Sequence, residues 1–147
     1  TTPYLAIGEP IPSSLYTAAR TGVDARIMTP HIPDKKGVFA VTQSNYPVLL
    51  EAGARIFEFT PGFVHTKTMV ADDLYGSVGS CNLDYRSFYL QFENGVWLCG
   101  DPAVLSVRDD FLQTMEVCQE ITLDDCRTLS FPRRIVQTVY RLFAPLF

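Results

Sequence analysis

The chain has 147 residues and a formal net charge of −4, with a sequence pI near 5.0. An acidic chain is a poor electrostatic match for a phosphate-rich duplex, which argues against a nucleic-acid partner. No run reaches the ~18 apolar residues of a membrane span and no secretory leader is recognisable, whereas 47% hydrophobic and 19% charged residues suit one globular α/β domain burying about 70% of its unfolded surface.

In chain order, Thr1-Thr2-Pro3-Tyr4 reads as the tail of a strand. Ile11 to Thr21 reads as a helix with Ser13 or Ser14 as cap, an apolar stripe of Leu15, Ala18 and Ala19, and Gly22 as stop. Val23 to Thr29 reads as a strand with Val23, Ala25, Ile27 and Met28 inward. Helix, Gly-Val-Asp and strand together make a unit that feeds a parallel sheet. The polar loop Pro30 to Gly37 follows. Its His31, Lys35 and Lys36 are either headgroup contacts or part of a solvated loop. Val38 to Gly53 reads as a second helix, kinked or broken at Pro47. Ala54 to Phe59 reads as a strand, and Thr60-Pro61-Gly62 as a turn.

Next comes the stretch with chemistry in it, Val64 to Glu93. It contains His65-x-Lys67-x-x-x-x-Asp72, then Gly79-Ser80-x-Asn82, then Glu93. In an extended segment residues i and i+2 share a face, so His65 and Lys67 project together while Thr66, Thr68 and Val70 turn away. A free imidazole can attack phosphorus, and an ammonium can hold a non-bridging phosphate oxygen. Unperturbed imidazole titrates at about 6.5, so the free base exists near neutrality. Ser80 and Asn82 supply hydrogen bonds for the charge that develops on phosphate. Glu93 is the natural orienter of the second ring nitrogen of His65. Singly, each residue type is commonplace; together, at fixed spacing, they point to phosphoryl transfer. Asp72 lies at odd spacing from Lys67 beside Asp73, where a turn or an ion pair is expected of it.

Leu83 to Ser87 reads as a linker in which Arg86 either holds a phosphate or pairs with Asp84. Phe88 to Cys99 reads as a buried strand built on Phe92, Val96, Trp97 and Leu98. Asp101-Pro102 is a helix entry, and that helix is expected to run to about Glu120. Thr122 caps a short helix with Asp125 three residues on. Phe131 to Phe147 is amphipathic and basic, with Ile135, Val139, Leu142, Phe143 and Leu146 on one face and Arg133, Arg134 and Arg141 at its border. Such a helix lies on an anionic membrane surface or packs on the protein. The elements give a mixed β-sheet flanked by helices, an α/β sandwich. The four cysteines, Cys81, Cys99, Cys118 and Cys126, have no metal-like spacing; free thiols are expected, with disulfides the alternative.

The HxKxxxxD and GSxN pattern, and the longer strings PGFVHTKTMVADD and GSVGSCNLDYRSFYLQFE, resemble the carboxy-terminal half of the bacterial cardiolipin synthases of the phospholipase D superfamily. The resemblance implies a phospholipase D-like α/β sandwich and assigns His65, Lys67, Asp72, Ser80, Asn82 and Glu93 to the catalytic set, with Arg86 as a substrate contact. It implies no metal and no cofactor. Residues 1–120 would be the second catalytic half-domain, truncated at its start, and residues 121–147 a helical extension. The partners implied are phosphatidylglycerol or another anionic phospholipid, a bacterial inner-membrane surface, and a second HxK half. The only other histidine is His31 in HIP, so that half comes from the missing amino-terminal part of the same protein or from a second copy. The implied reaction joins two phosphatidylglycerols into cardiolipin and glycerol through a phosphohistidine. A lipid hydrolase, a nuclease and a non-catalytic membrane-associating fragment are the alternatives.

Overall fold

The computed structural model describes residues 1–6, 11–128 and 131–142. Its elements run β1 (Leu5–Ala6), α1 (Ile11–Arg20), β2 (Arg26–Pro30), α2 (Lys36–Ala52), β3 (Arg55–Phe59), β4 (Thr68–Ala71), β5 (Tyr75–Gly79) and β6 (Leu83–Asp84). They continue as α3 (Tyr85–Tyr89), β7 (Gly95–Cys99), α4 (Pro102–Met115), β8 (Cys118–Ile121), α5 (Leu123–Arg127) and α6 (Phe131–Leu142).

The strands form three ladders, β1-β6, β2-β3-β8 and β4-β5-β7. β1-β6 and β2-β3 are parallel, and the other pairs are antiparallel. Residues 1–6 join the ladders to one another. Thr1 N donates to Thr68 O at 2.7 Å and Thr2 N donates to Met28 O at 3.0 Å. The Thr2 hydroxyl accepts Leu83 N at 3.1 Å. One short segment thus touches β2, β4 and β6.

β2 and β3 are buried on both faces over most of their length, as a covered parallel pair must be. Ile27 and Ile56 face α1 and α2, in a core with Leu5, Ala19, Tyr46, Leu49 and Ile121. Met28 and Phe59 face Phe111 of α4 on the opposite side. Val23, expected inward, is 54% exposed, because the chain does not enter the sheet until Arg26.

α2 passes through Pro47 unbroken. The proline removes one backbone donor, but Tyr46 and Leu49 beside it are both buried and hold the helix to the core. Gly53 then closes α2 in a left-handed conformation (φ 102°), with Gly53 N on Leu50 O and Ala54 N on Leu49 O, both at 3.0 Å. This is the double carbonyl capture that glycine permits after a helix.

Two expectations about the second half of the chain are corrected. The helix begun at Asp101-Pro102 stops at Met115, and Cys118–Ile121 forms a strand against β3. Ile121 is buried opposite Ile56, and Arg55 pairs with Glu120 across the ladder at 2.8 Å. That pairing, remote in sequence, outweighs local helix propensity. The segment from Phe88 to Cys99 is not a buried strand. It is α3, a loop, and then β7, with Trp97 61% exposed and Phe92 and Val96 also exposed. β7 is the outer strand of its ladder. Cross-strand register puts Met69, Ser77 and Trp97 on the face away from α4, where Met69 and Trp97 stay more than half exposed and the Tyr75 ring lies 6.1 Å from that of Trp97.

The capping signals at Asp101 and Thr122 fold as read, whereas Ser13 and Ser14, expected to cap the first helix, lie inside α1. Asp101 accepts Ala103 N at 2.8 Å, and Thr122 and Asp125 form a reciprocal capping box. α6 lies along α2, close enough that a Cβ on Gly37 would meet the Tyr140 ring at 3.0 Å. Ile135 and Val139 are exposed; Phe143 and Leu146, and the side chains of Arg134 and Leu142, lie outside the described residues. All four cysteines are free. No helix among the described residues is long and apolar enough to cross a membrane.

Candidate active site

His65 and Lys67 sit on the extended stretch that leads into β4. Alternation places them on one side, and the Lys67 ammonium lies 2.9 Å from Nδ1 and 3.1 Å from Nε2 of His65. It also donates to the His65 carbonyl at 2.8 Å. Val64 and Thr66 point the other way, into a cavity of about 210 Å³ under α4. Burial lowers the Lys67 pKa, against the opposing pull of Glu93 and Asp84.

The His65 ring packs against Phe63, with centroids 5.5 Å apart, and meets Tyr4 edge-on at 6.4 Å. The Tyr4 hydroxyl donates to Asp34 at 2.5 Å, and the Lys35 ammonium sits 5.5 Å from the centre of its ring. Burial, followed by Asp34, pushes the Tyr4 pKa up. The loop after β2 therefore borders the site through Tyr4. His31 does not join it. Its Nδ1 lies 2.7 Å from Glu58, a carboxylate only 3% exposed that also accepts from Tyr46 at 3.0 Å.

Gly79 delivers the second motif to the first. Its N–H donates to Lys67 O at 3.2 Å, so Ser80 emerges beside Lys67. Only a glycine fits here, since an added Cβ would stand 2.6 Å from Asn94 O and 2.8 Å from the Gly95 Cα. Ser80 N donates to Asn94 O at 2.9 Å, and the Ser80 hydroxyl accepts Asn94 N at 3.0 Å while donating to Glu93. The hydrogen bonds from Ser80 and then Ser87, aided by Lys67, hold the Glu93 pKa below the usual carboxylate value.

Among the described residues no hydrogen bond joins Glu93 to His65. The expectation that Glu93 orients the imidazole is not met in this arrangement, in which the carboxylate accepts from the Ser80 hydroxyl instead. Asn82 is nearby: its backbone N and its Nδ2 donate to Ser87 Oγ at 3.1 and 3.4 Å. Its Oδ1 is buried without a partner, an acceptor left for an incoming donor.

Two predicted site residues stand apart. Asp72 and Asp73, with φ of 54° and 55°, form the left-handed turn between β4 and β5, closed by Leu74 N on Ala71 O at 3.1 Å. At about 3.3 Å per residue, five residues of strand carry Asp72 roughly 16 Å from Lys67. Asp73 pairs with Arg108 at 2.7 Å. Arg86 is exposed and does not pair with Asp84, whose carboxylate caps α3 by accepting Ser87 N at 2.7 Å. Burial raises the Cys81 pKa, which keeps it a thiol. No group of three or more His, Cys, Asp or Glu among the described residues is placed to hold a metal.

Residues 1–115, which carry this whole arrangement, match the family described as "Cardiolipin synthase, PLD-like domain". The chain belongs to that family. It is 39% identical over 145 residues to a protein named cardiolipin synthase 2 from Bacillus anthracis, covering 99% of this chain and 28% of that protein. A cardiolipin synthase from Clostridium perfringens is also 39% identical over 145 residues, at 99% and 30% coverage. An uncharacterised protein of Streptococcus mutans matches at 39% over 145 residues, at 99% and 32%. The chain thus spans about a third or less of these relatives. The fold is shared with the phosphatidylserine synthase of Haemophilus influenzae, at a TM-score of 0.72 and 18% identity over 99% of this chain and 38% of that one. It is also shared with Nuc, a phospholipase D family member of Salmonella typhimurium, at 0.67 and 17% over 76% and 73%.

Within this member of the cardiolipin synthase PLD-like family, reading the sequence alone missed Ser87 and Tyr4. Ser87 is buried, accepts from Asn82 and helps to lower the Glu93 pKa. Its local signal was Asp84 three residues earlier, the spacing of a helix cap. Tyr4 had no signal, since it reaches His65 only through the pairing of residues 1–6 with β2, β4 and β6.

Proposed function

We propose that this chain supplies one half of the active site of a phosphatidyltransferase that condenses two phosphatidylglycerols into cardiolipin and glycerol. The observation that carries the reading is the Lys67 ammonium held 2.9 and 3.1 Å from the two ring nitrogens of His65, with Ser80, Asn82 and Glu93 gathered beside them. Lys67 holds a non-bridging phosphate oxygen, releasing the His65 ring for chemistry. Asn82 Nδ2 keeps a second proton for the phosphate, and Ser80, whose hydroxyl proton goes to Glu93, assists by holding that carboxylate beside Lys67. Two histidines act in turn, His65 and one from a second HxK half. One attacks phosphorus, forming a nitrogen–phosphorus bond and breaking the bond to glycerol. The other gives its proton to the departing glycerol oxygen, then takes the proton of the incoming hydroxyl as that oxygen displaces the first histidine.

The second half is either another part of the same protein or a second copy. The exposed apolar face that holds Met69, Tyr75 and Trp97 supports such a partner, because an uncovered sheet face seeks one. Residues 1–120 serve as the catalytic half and residues 121–147 as the extension, of which α6 (Phe131–Leu142) lies along α2. The whole protein works at a bacterial inner-membrane surface, with this part outside the lipid core.

The test uses the protein at its full natural length, wild type and His65→Ala, in phosphatidylglycerol vesicles, with lipids read by mass spectrometry. Cardiolipin and glycerol from the wild type alone are expected. Phosphatidic acid without cardiolipin would make the protein a hydrolase, and the absence of any lipid product would overturn the reading.

A further inference from the structure

A second cavity, of about 230 Å³, lies between α2, α5 and α6 and shares no residue with the His65 site. Pro47, Leu123 and Cys126 line its apolar side, and Arg127, Gln137 and Arg141 its polar side. Gln137 is 8% exposed, and its Nε2 is buried with no hydrogen-bond partner. Native proteins rarely leave a buried donor unpaired without a reason, and an unseen ligand is one such reason. Arg141 has no ion-pair partner among the described residues. Arg127 is only loosely engaged, 3.7 Å from Asp124, with both side chains largely in water.

Two guanidinium forks and one buried amide therefore line one small space, and among the described residues the acceptor beside them is Asp124, on Arg127. Planar guanidinium forks suit the tetrahedral oxygens of phosphate. The volume falls below the ~300–1,000 Å³ of drug-sized sites, so the occupant is the size of a phosphate or a small phosphodiester headgroup, not a whole lipid. We propose that this cavity binds a phosphate group, held by Arg127, Arg141 and the Gln137 amide. The source is either free phosphate or a lipid headgroup. The proposal does not depend on the catalytic reading, because no residue of the cavity belongs to that site.

The experiment is equilibrium binding of radiolabelled inorganic phosphate to the full-length protein carrying Lys67→Ala, which silences the phosphate contact at His65. A class of bound phosphate weakened at least tenfold by Arg141→Gln is expected, distinct from any held at the second HxK half, which that change leaves alone. Unlabelled phosphate and short-chain phosphatidylglycerol then compete for the site. Displacement by the lipid at tenfold lower concentration identifies a headgroup; displacement by phosphate alone identifies the free anion. Gln137→Leu should also weaken binding, and the exposed Arg141 keeps the test decisive if that buried variant fails to fold. No bound phosphate, or binding indifferent to Arg141→Gln, overturns the proposal. Lipid transfer by the Lys67-intact protein is assayed separately and bears only on the catalytic reading.

Discussion

The Ser87 hydroxyl accepts the backbone N–H of Asn82 at 3.1 Å. The same hydroxyl helps to hold the Glu93 carboxylate charged, and the Ser87 backbone is itself fixed by Asp84 at 2.7 Å. One buried oxygen thus ties the GS-x-N segment to the acidic residue eleven positions on, across the short helix between them.

Ser87→Ala should therefore damage both fold and site. A buried N–H left without its acceptor costs about 1–3 kcal/mol, and in a domain of this size each kcal/mol lowers the melting temperature by roughly 2–4 °C. Transfer should fall by more than the loss of folded protein explains, since Asn82 loses its anchor. Thermal melting and turnover measured on the same sample separate the two; unchanged turnover per folded molecule would remove Ser87 from the positioning role.

Gly79→Ala tests the close approach of β5 to Asn94. The new Cβ would meet backbone atoms at 2.6 and 2.8 Å, and backbone cannot swing aside as a side chain can. Overpacking of this kind costs about 1–3 kcal/mol, and it would push Ser80 away from Lys67. Loss of activity is expected even below the melting temperature. A variant with native turnover would show that the approach is looser than described.

Asp72, by contrast, belongs to a turn. Asn tolerates the left-handed conformation as Asp does, so Asp72→Asn should leave turnover within about twofold. Asp72→Val places a β-branched residue at positive φ and should cost on the order of 1–3 kcal/mol of stability. A large loss of turnover in Asp72→Asn at unchanged stability would return Asp72 to the chemistry.

The pH dependence follows from two shifted groups. Glu93 is held below its ordinary value by Ser80 and Ser87. A carboxylate depressed on folding stabilises the fold above its ordinary titration range, and that contribution is lost as pH falls through the lower folded value. Acid unfolding should therefore be less steep in Glu93→Gln below about pH 4.3. Lys67 is lowered by burial, so it sheds its proton at lower pH than an ordinary lysine at about 10.4. The alkaline fall in transfer should begin correspondingly early; a fall that survives unchanged in Lys67→Arg would assign it to another group.

The sequence by itself determined what depends on neighbours along the chain. The two-residue spacing put His65 and Lys67 on one face, the caps at Asp101 and Thr122 started their helices, and the motif string pointed to the right family. Tertiary structure alone decided what depends on distant pairing. It drew Cys118–Ile121 off a helix and onto β3, set Asp72 in a turn away from Lys67, and gave Glu93 to Ser80 and Ser87. It also left Trp97 and Phe92 in water, because apolar alternation along a strand reports that a face is apolar but not whether anything lies against it.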